Sequence, residues 1–235
     1  MHVRDLTQYL AELSENNNRA WFVMNKPRYD ILREEFLEVV IRLIANISKF
    51  DPAIIGCNPK KALFRINRDM RFSHDKSPYK TNFSAAITAT NLKRPSQGGG
   101  PMYYFHIDAA GALFIAAGEY LPPADRLRAI RNNVVEDAVE FSKLLKNKKL
   151  LGSYGGLQLG EQLARPPKGF DVTSPHLDYI KLKSFIVRKE QPLKKMLGEE
   201  LEQELIAAFK DAYPLVSWLQ KIKTEVEIPV ERDNA

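Results

Sequence analysis

Met102-Tyr103-Tyr104-Phe105-His106-Ile107-Asp108-Ala109-Ala110-Gly111-Ala112-Leu113-Phe114-Ile115-Ala116-Ala117 is the stretch whose reading decides the architecture. Two apolar, aromatic-rich runs, Met102 to Asp108 and Ala112 to Ala117, flank a short connector containing glycine, the signal of a β-hairpin. Upstream, Phe83, Ala85, Ile87 and Ala89 alternate with polar or small residues between Asn82 and Thr90, the period of two of a strand. Ala62 to Ile66 reads as another strand and Ser184 to Arg188 as a fifth. Tight links between neighbours predict an antiparallel meander of four to five strands. Consecutive strand residues point to opposite faces, so of Tyr103, Tyr104 and Phe105 only Tyr103 and Phe105 share one. That face is read as core, not as the stacking surface of an RNA-binding sheet.

Helical spacing surrounds the strands. Leu6, Leu10 and Leu13 form a first helix that Asn16-Asn17-Asn18 stops. Leu32, Phe36, Val39, Val40, Leu43, Ile44 and Ile47 recur at three and four, giving a long amphipathic helix over 27–49 that begins at Pro27 and ends near Asp51-Pro52. A helical stripe runs from Leu127 to Leu145, and two closing helices interrupted at Pro214 follow. The class is α+β: an antiparallel meander sheet packed against N-terminal and C-terminal helices. Residues 1–227 are expected to be one domain, with Ile228 to Ala235 a frayed tail.

At 235 residues the chain is long enough to bury a core without a metal or disulfide staple. The 44% hydrophobic and 27% charged fractions exclude global disorder. A single cysteine, Cys57, excludes an internal disulfide and any Cys-x-x-Cys pair. The N-terminus lacks a signal-peptide apolar core, and no stretch has the roughly 18 apolar residues of a membrane span. A soluble, cytoplasmic protein without a membrane partner is expected.

The formal charge of +6 is small, but its placement is uneven. Between Lys60 and Thr81 seven cations stand against two anions, so this one segment carries net +5. Arg65, Arg68 and Arg71 are spaced by three, and a strand ending near Ile66 leaves Arg68 to Thr81 as a loop. Arginine forks grip a phosphate or carboxylate at two points, lysines add charge, and Tyr79 with nearby hydroxyls adds neutral hydrogen bonds. Asp69 and Asp75 suit a catalytic base, a cation ligand or a partner for the arginines. Two readings compete: an anion site, and an Arg–Asp lattice that only orders the loop. Two aspartates do not neutralise seven cations, which favours the anion site.

The same block resembles a known family. Phe64-Arg65-Ile66-x-Arg68-Asp69-x-Arg71-Phe72-Ser73-x-Asp75-Lys76-x-Pro78-Tyr79-Lys80-Thr81 is similar to the core signature of a bacterial and fungal family known only as a domain of unknown function. Asn17-x-Arg19-x-Trp21-Phe22, then Gly118-x-Tyr120-x-Pro122 with Leu127 and Arg131, then Leu163-Ala164-Arg165-Pro166-Pro167-Lys168-Gly169-Phe170 resemble its other motifs in the same order. The likeness spans roughly residues 6 to 220. It departs at Ala116-Ala117-Gly118, where the family is richer in glycine, and at Thr173-Ser174-Pro175-His176, where Asp-His-Pro is usual. The resemblance implies a single domain and brings no established activity, cofactor or catalytic residue.

Other signals fail. His74-Asp75-Lys76 lacks the aspartate of a phospholipase-D-like motif, since that position is Thr81. The four histidines are too scattered for a local metal motif, and Gly98-Gly99-Gly100-Pro101 lacks the Lys-Ser/Thr ending of a phosphate loop. The expectation is a pocket for a phosphate-bearing ligand built from Arg65, Arg68, Arg71, Lys76, Tyr79 and Lys80, with Tyr120, Arg131 and Lys168 as its far wall. If it is catalytic, phosphoryl or phosphodiester chemistry follows, with Asp69 or Asp75 as base. The alternatives are a non-catalytic nucleic-acid binder and a structural or interaction protein.

Overall fold

The computed structural model describes residues 1–69, 71, 74–94, 97–193 and 198–224. The chain opens with three helices, α1 (Val3–Glu15), α2 (Arg19–Met24) and α3 (Lys26–Ile47). Val3, Leu6, Tyr9, Leu10 and Leu13 bury one side of α1. The side chain of Asn18 caps α2 by accepting from the Trp21 N–H at 3.0 Å. Pro27 occupies the first turn of α3, where its missing N–H costs nothing. After a 3-10 turn at Pro52–Ile54 and a single-turn helix α4 (Pro59–Ala62) comes the sheet.

Its strands are β1 (Asn82–Thr88), β2 (Met102–Asp108), β3 (Ala112–Glu119) and β4 (Phe185–Pro192), in the order β1-β2-β3-β4, all antiparallel. Between β3 and β4 lie α5 (Ala124–Glu136), α6 (Ala138–Leu145), α7 (Lys148–Tyr154) and α8 (Leu177–Ile180), and α9 (Gly198–Lys221) closes the fold. One face of the sheet meets the helices. Phe36 of α3 contacts Phe83 and Phe105, and Phe209 of α9 contacts Tyr103 and Phe105, with ring centroids 5.2–6.5 Å apart. Tyr103, Phe105, Ile107, Leu113 and Ile115 are each 0% exposed. At roughly 25 cal/mol per Å² of apolar surface, such side chains contribute about 1.5–3 kcal/mol apiece, before the entropy of ordering them. Alternation in β2 turns Tyr104, His106 and Asp108 to the other face, where they are half-buried.

The α+β meander is therefore as expected from the sequence, with three local differences. Ala62 ends α4 instead of starting a strand, and only Leu63 to Arg68 pairs in extended form. The stripe from Leu127 to Leu145 divides at Asp137, whose side chain accepts from the Glu140 N–H and starts α6 anew. The closing segment is one helix that runs through Pro214. Proline removes one helical hydrogen bond, but Leu205, Ala208, Phe209 and Ala212 before it and Leu215, Val216 and Leu219 after it are all buried on the same side. Continuity of that packing outweighs the local break. The expected tail, Ile228 to Ala235, lies outside the described residues. Among the described residues no helix is long and apolar enough to cross a membrane.

Candidate functional site

The basic segment folds as a two-stranded ribbon leading into β1. Leu63 lies opposite Ala85, the Phe64 N–H donates to Ser84 O at 3.0 Å, the Lys80 N–H to Ile66 O at 2.7 Å, and the Arg68 N–H to Pro78 O at 2.9 Å. Leu63, Ile66 and Phe83 are buried in the core, while Phe64 and Lys80 are half-buried. The ribbon is fixed from the N-terminal side as well. Asn17 donates from Nδ2 to Tyr79 O (2.9 Å) and accepts from the Tyr79 N–H (3.0 Å), while the Phe22 and Tyr79 rings stack at 4.1 Å. Tyr79 is consequently 7% exposed and acts as an anchor.

Arg71 grips Asp69 through two charge-assisted bonds, Nε to Oδ1 at 2.9 Å and Nη2 to Oδ2 at 2.7 Å. That bond holds the Asp69 carboxyl well below the usual carboxylate range. Arg68 pairs with Asp75, which also accepts from the Ser77 N–H. The Ser77 bonds, then Arg68, lower the Asp75 carboxyl to about 2. Both aspartates are thus occupied by nearby donors, the geometry of a loop lattice. Lys76 and His74 are exposed, and Phe72 and Ser73 lie outside the described residues. The Arg71–Asp69 pair is open to water, its side chains 76% and 46% exposed, so Arg71→Ala is expected to leave the melting temperature within about 1 °C of wild type in a calorimetric scan.

The remaining cations of the segment face differently. Lys80 Nζ stands over the Phe64 ring at 5.0 Å, and Lys93 Nζ over the same ring at 4.7 Å. Lys93 comes from the connector after β1. It donates to Lys61 O at 2.6 Å and to Leu63 O, and so caps α4. The connector is itself pinned, because the Thr88 and Thr90 hydroxyls both donate to Gly99 O, at 3.2 and 2.9 Å. Among the described residues neither lysine has a carboxylate within ion-pair distance. Burial first, then Arg65 and Arg68, pushes the Lys80 ammonium below its ordinary value, and burial, then Lys80 and Arg94, does the same to Lys93.

Aromatic groups of the open sheet face adjoin this pair. Tyr104 lies edge-on to Phe64 (6.1 Å) and its hydroxyl meets His106 Nδ1 at 3.1 Å. His106 stacks on Phe114 at 4.8 Å and 8°. Burial raises the Tyr104 hydroxyl, against a hydrogen bond with Ser84, and lowers His106, against the charges of Asp108 and Glu190. Three perturbed groups, Lys80, Lys93 and Tyr104, therefore adjoin Phe64, with His106 bonded to Tyr104 behind them, a concentration typical of functional sites. Sequence reading found Arg65 and Lys80 by charge but missed Lys93, Tyr104 and His106. The alternation that sent Tyr103 and Phe105 inward already placed Tyr104 and His106 together on the other face.

The expected far wall lies elsewhere. Arg131 is 7% exposed and donates from Nη2 to Leu182 O at 2.8 Å, just before β4, whereas Phe64 borders β1 at the opposite edge of the sheet. Its Nε is buried without a partner among the described residues, and burial lowers its guanidinium from the ordinary value. Tyr120 is exposed where β3 ends, beside β4, and Lys168 is exposed on the connector between α7 and α8. A groove of about 490 Å³ on that side is lined by Val134, Val135, Glu136, Phe170, Asp171 and His176 among others, with no lysine or arginine. Cys57 is buried, and that burial raises its thiol from the ordinary value. Among the described residues no group of three or more His, Cys, Asp or Glu is placed to hold a metal ion.

No curated protein and no solved structure matches the chain. A family model does, over residues 5–218, which takes in the ribbon, the whole sheet and nearly all of the helical layer. The motifs met along the chain thus fall within one family's span, and the chain belongs to DUF2461, a family of conserved hypothetical proteins.

Proposed function

We propose that the protein binds a phosphate-bearing ligand on the open face of the sheet, at Lys80, Lys93 and Arg65 beside Phe64. The observation that carries this reading is the pair of half-buried lysines sharing one ring with no carboxylate among the described residues to balance them. A lysine whose proton affinity falls on folding is an ammonium less comfortable in the fold than in the unfolded chain. At neutral pH such a cluster works against stability, and the penalty fades as pH rises through the lowered folded value. An anion seated between the ammoniums reverses the sign. The cations earlier assigned to the same pocket divide by this criterion: Arg68 and Arg71 serve the loop lattice with Asp75 and Asp69, while Lys80 and Arg65 serve the ligand.

Single-stranded nucleic acid fits less well. A stacking platform offers ring faces to bases. Here the faces of His106 and Phe114 are turned to each other, Tyr104 stands edge-on to both, and Phe64 carries the two ammoniums.

The test is thermal unfolding in phosphate against chloride at equal ionic strength. Phosphate well above its Kd should raise the wild-type melting temperature by several degrees, about 2–4 °C per kcal/mol of binding energy at this size. Lys80→Met should melt no lower than wild type in chloride and should lose the phosphate increment. An undiminished increment in Lys80→Met removes the proposal.

A further inference from the structure

Lys80 and Lys93 share a ring but differ in what their nitrogens do. Lys93 is tethered to two carbonyl oxygens at the end of α4. The Lys80 nitrogen has neither a hydrogen-bond partner nor a carboxylate among the described residues, and its contact is the Phe64 ring. Its backbone is clamped, since its own N–H donates to Ile66 O and the preceding residue is held by Asn17. A half-buried primary amine on a fixed backbone, sharing a ring with Lys93 and feeling the positive charges of Arg65 and Arg68, is the arrangement in which lysine acts as a nucleophile toward carbonyl groups.

We propose that Lys80 forms an imine with a small aldehyde or ketone that also carries a phosphate group. This rests on the anion-binding reading above and specifies its ligand. The phosphate sits with Arg65 and Lys93, which brings the carbonyl carbon to Lys80 Nζ. The lone pair of the neutral amine attacks that carbon, forming the C–N bond as the C=O π pair moves to oxygen, which takes up a proton while the nitrogen, now positive, gives one up to solvent. The resulting carbinolamine loses its hydroxyl, with a proton, as water. The nitrogen lone pair closes the C=N bond and the N–H proton passes to solvent, so no oxidant or reductant enters. Tyr104, whose hydroxyl is bonded to His106 at 3.1 Å and whose ring abuts Phe64, is the nearby group able to hand a proton to the departing hydroxyl. The same surroundings give the reaction its pH range. Burial, then Arg65 and Arg68, favours the neutral amine, so capture begins at lower pH than for exposed lysines.

The full chain is incubated with glyceraldehyde 3-phosphate, reduced with borohydride and mapped by peptide mass spectrometry. Glyceraldehyde without phosphate is the control. The expected result is one dominant adduct at Lys80, at least about tenfold more than with glyceraldehyde and suppressed by inorganic phosphate. The adduct is absent in Lys80→Arg and retained in Arg71→Ala, and its half-maximal pH lies below that of the remaining lysines. Labelling spread over exposed lysines with no preference for Lys80, or equal labelling by glyceraldehyde, overturns the proposal. If that happens while phosphate still raises the melting temperature, anion binding stands and imine formation falls. If phosphate has no effect either, both fall.

Discussion

Gly118→Ala is expected to cost roughly 3–5 kcal/mol and to lower the melting temperature by about 10 °C or more, the largest effect of any single methyl group added to the sheet. Gly118 adopts φ +117°, a region L side chains rarely enter. A β-carbon built there would lie 2.1 Å from Phe185 O and 3.0 Å from the Ile186 Cα, both backbone atoms of the paired strand. Neither strain nor clash is relieved by a side-chain rotation, so β3 and β4 must separate. Further along, Leu121 has φ +43° and its N–H donates to Ser184 Oγ at 3.0 Å. Gly118-x-Tyr120-x-Pro122 is therefore a device that turns the chain out of the sheet and into α5, and its glycine belongs to the backbone, not to a ligand. Denaturant unfolding measures the loss. A Gly118→Ala protein as stable as wild type would refute the close β3–β4 approach.

Asp51→Ala is expected to destabilise by about 2–4 kcal/mol. Asp51 is 1% exposed, and its carboxylate collects donors from three parts of the fold. Tyr103 of β2 donates its hydroxyl at 2.9 Å, Gln220 of α9 its amide at 3.0 Å, and the Ala53 N–H follows at 3.2 Å. Removing the acceptor strands a tyrosine hydroxyl and a glutamine amide away from water. Burial, with Asp51 beside it, pushes the Tyr103 hydroxyl far above its ordinary value, so it remains a donor at every accessible pH. Combining Asp51→Ala with Tyr103→Phe should recover part of the loss, because the second change removes one orphaned group. Purely additive losses in that double-mutant cycle would show that the Tyr103 bond contributes little.

How much of this was legible in the sequence depends on the kind of interaction. The strands were legible because Phe83, Ala85 and Ile87, or Tyr103, Phe105 and Ile107, repeat at the period that burial on one face imposes. The continuity of α9 was not, because Pro214 is a local stop signal and the apolar side that overrides it depends on what packs against it. Asp51 read as the end of α3, although its weight comes from residues 52 and 169 positions away. In the basic segment, charge excess located the site but not its members. A three-residue spacing suits a ligand clamp and a lattice equally, and only geometry shows Arg68 and Arg71 turned to Asp75 and Asp69. Lys93 sits in a connector whose composition advertises nothing, and it enters through the carbonyls at the end of α4.

The Asn17 side chain touches both polar groups of the Tyr79 peptide where β2, the neighbouring strand, has run out. Its amide does the work of one more residue of sheet, supplied from a helix junction 62 positions earlier in the chain. Sequence distance of that order makes closure slow, so the ribbon bearing Lys80 should be among the last parts to order during folding. Early refolding species should then show sheet and helix signals before any response to phosphate.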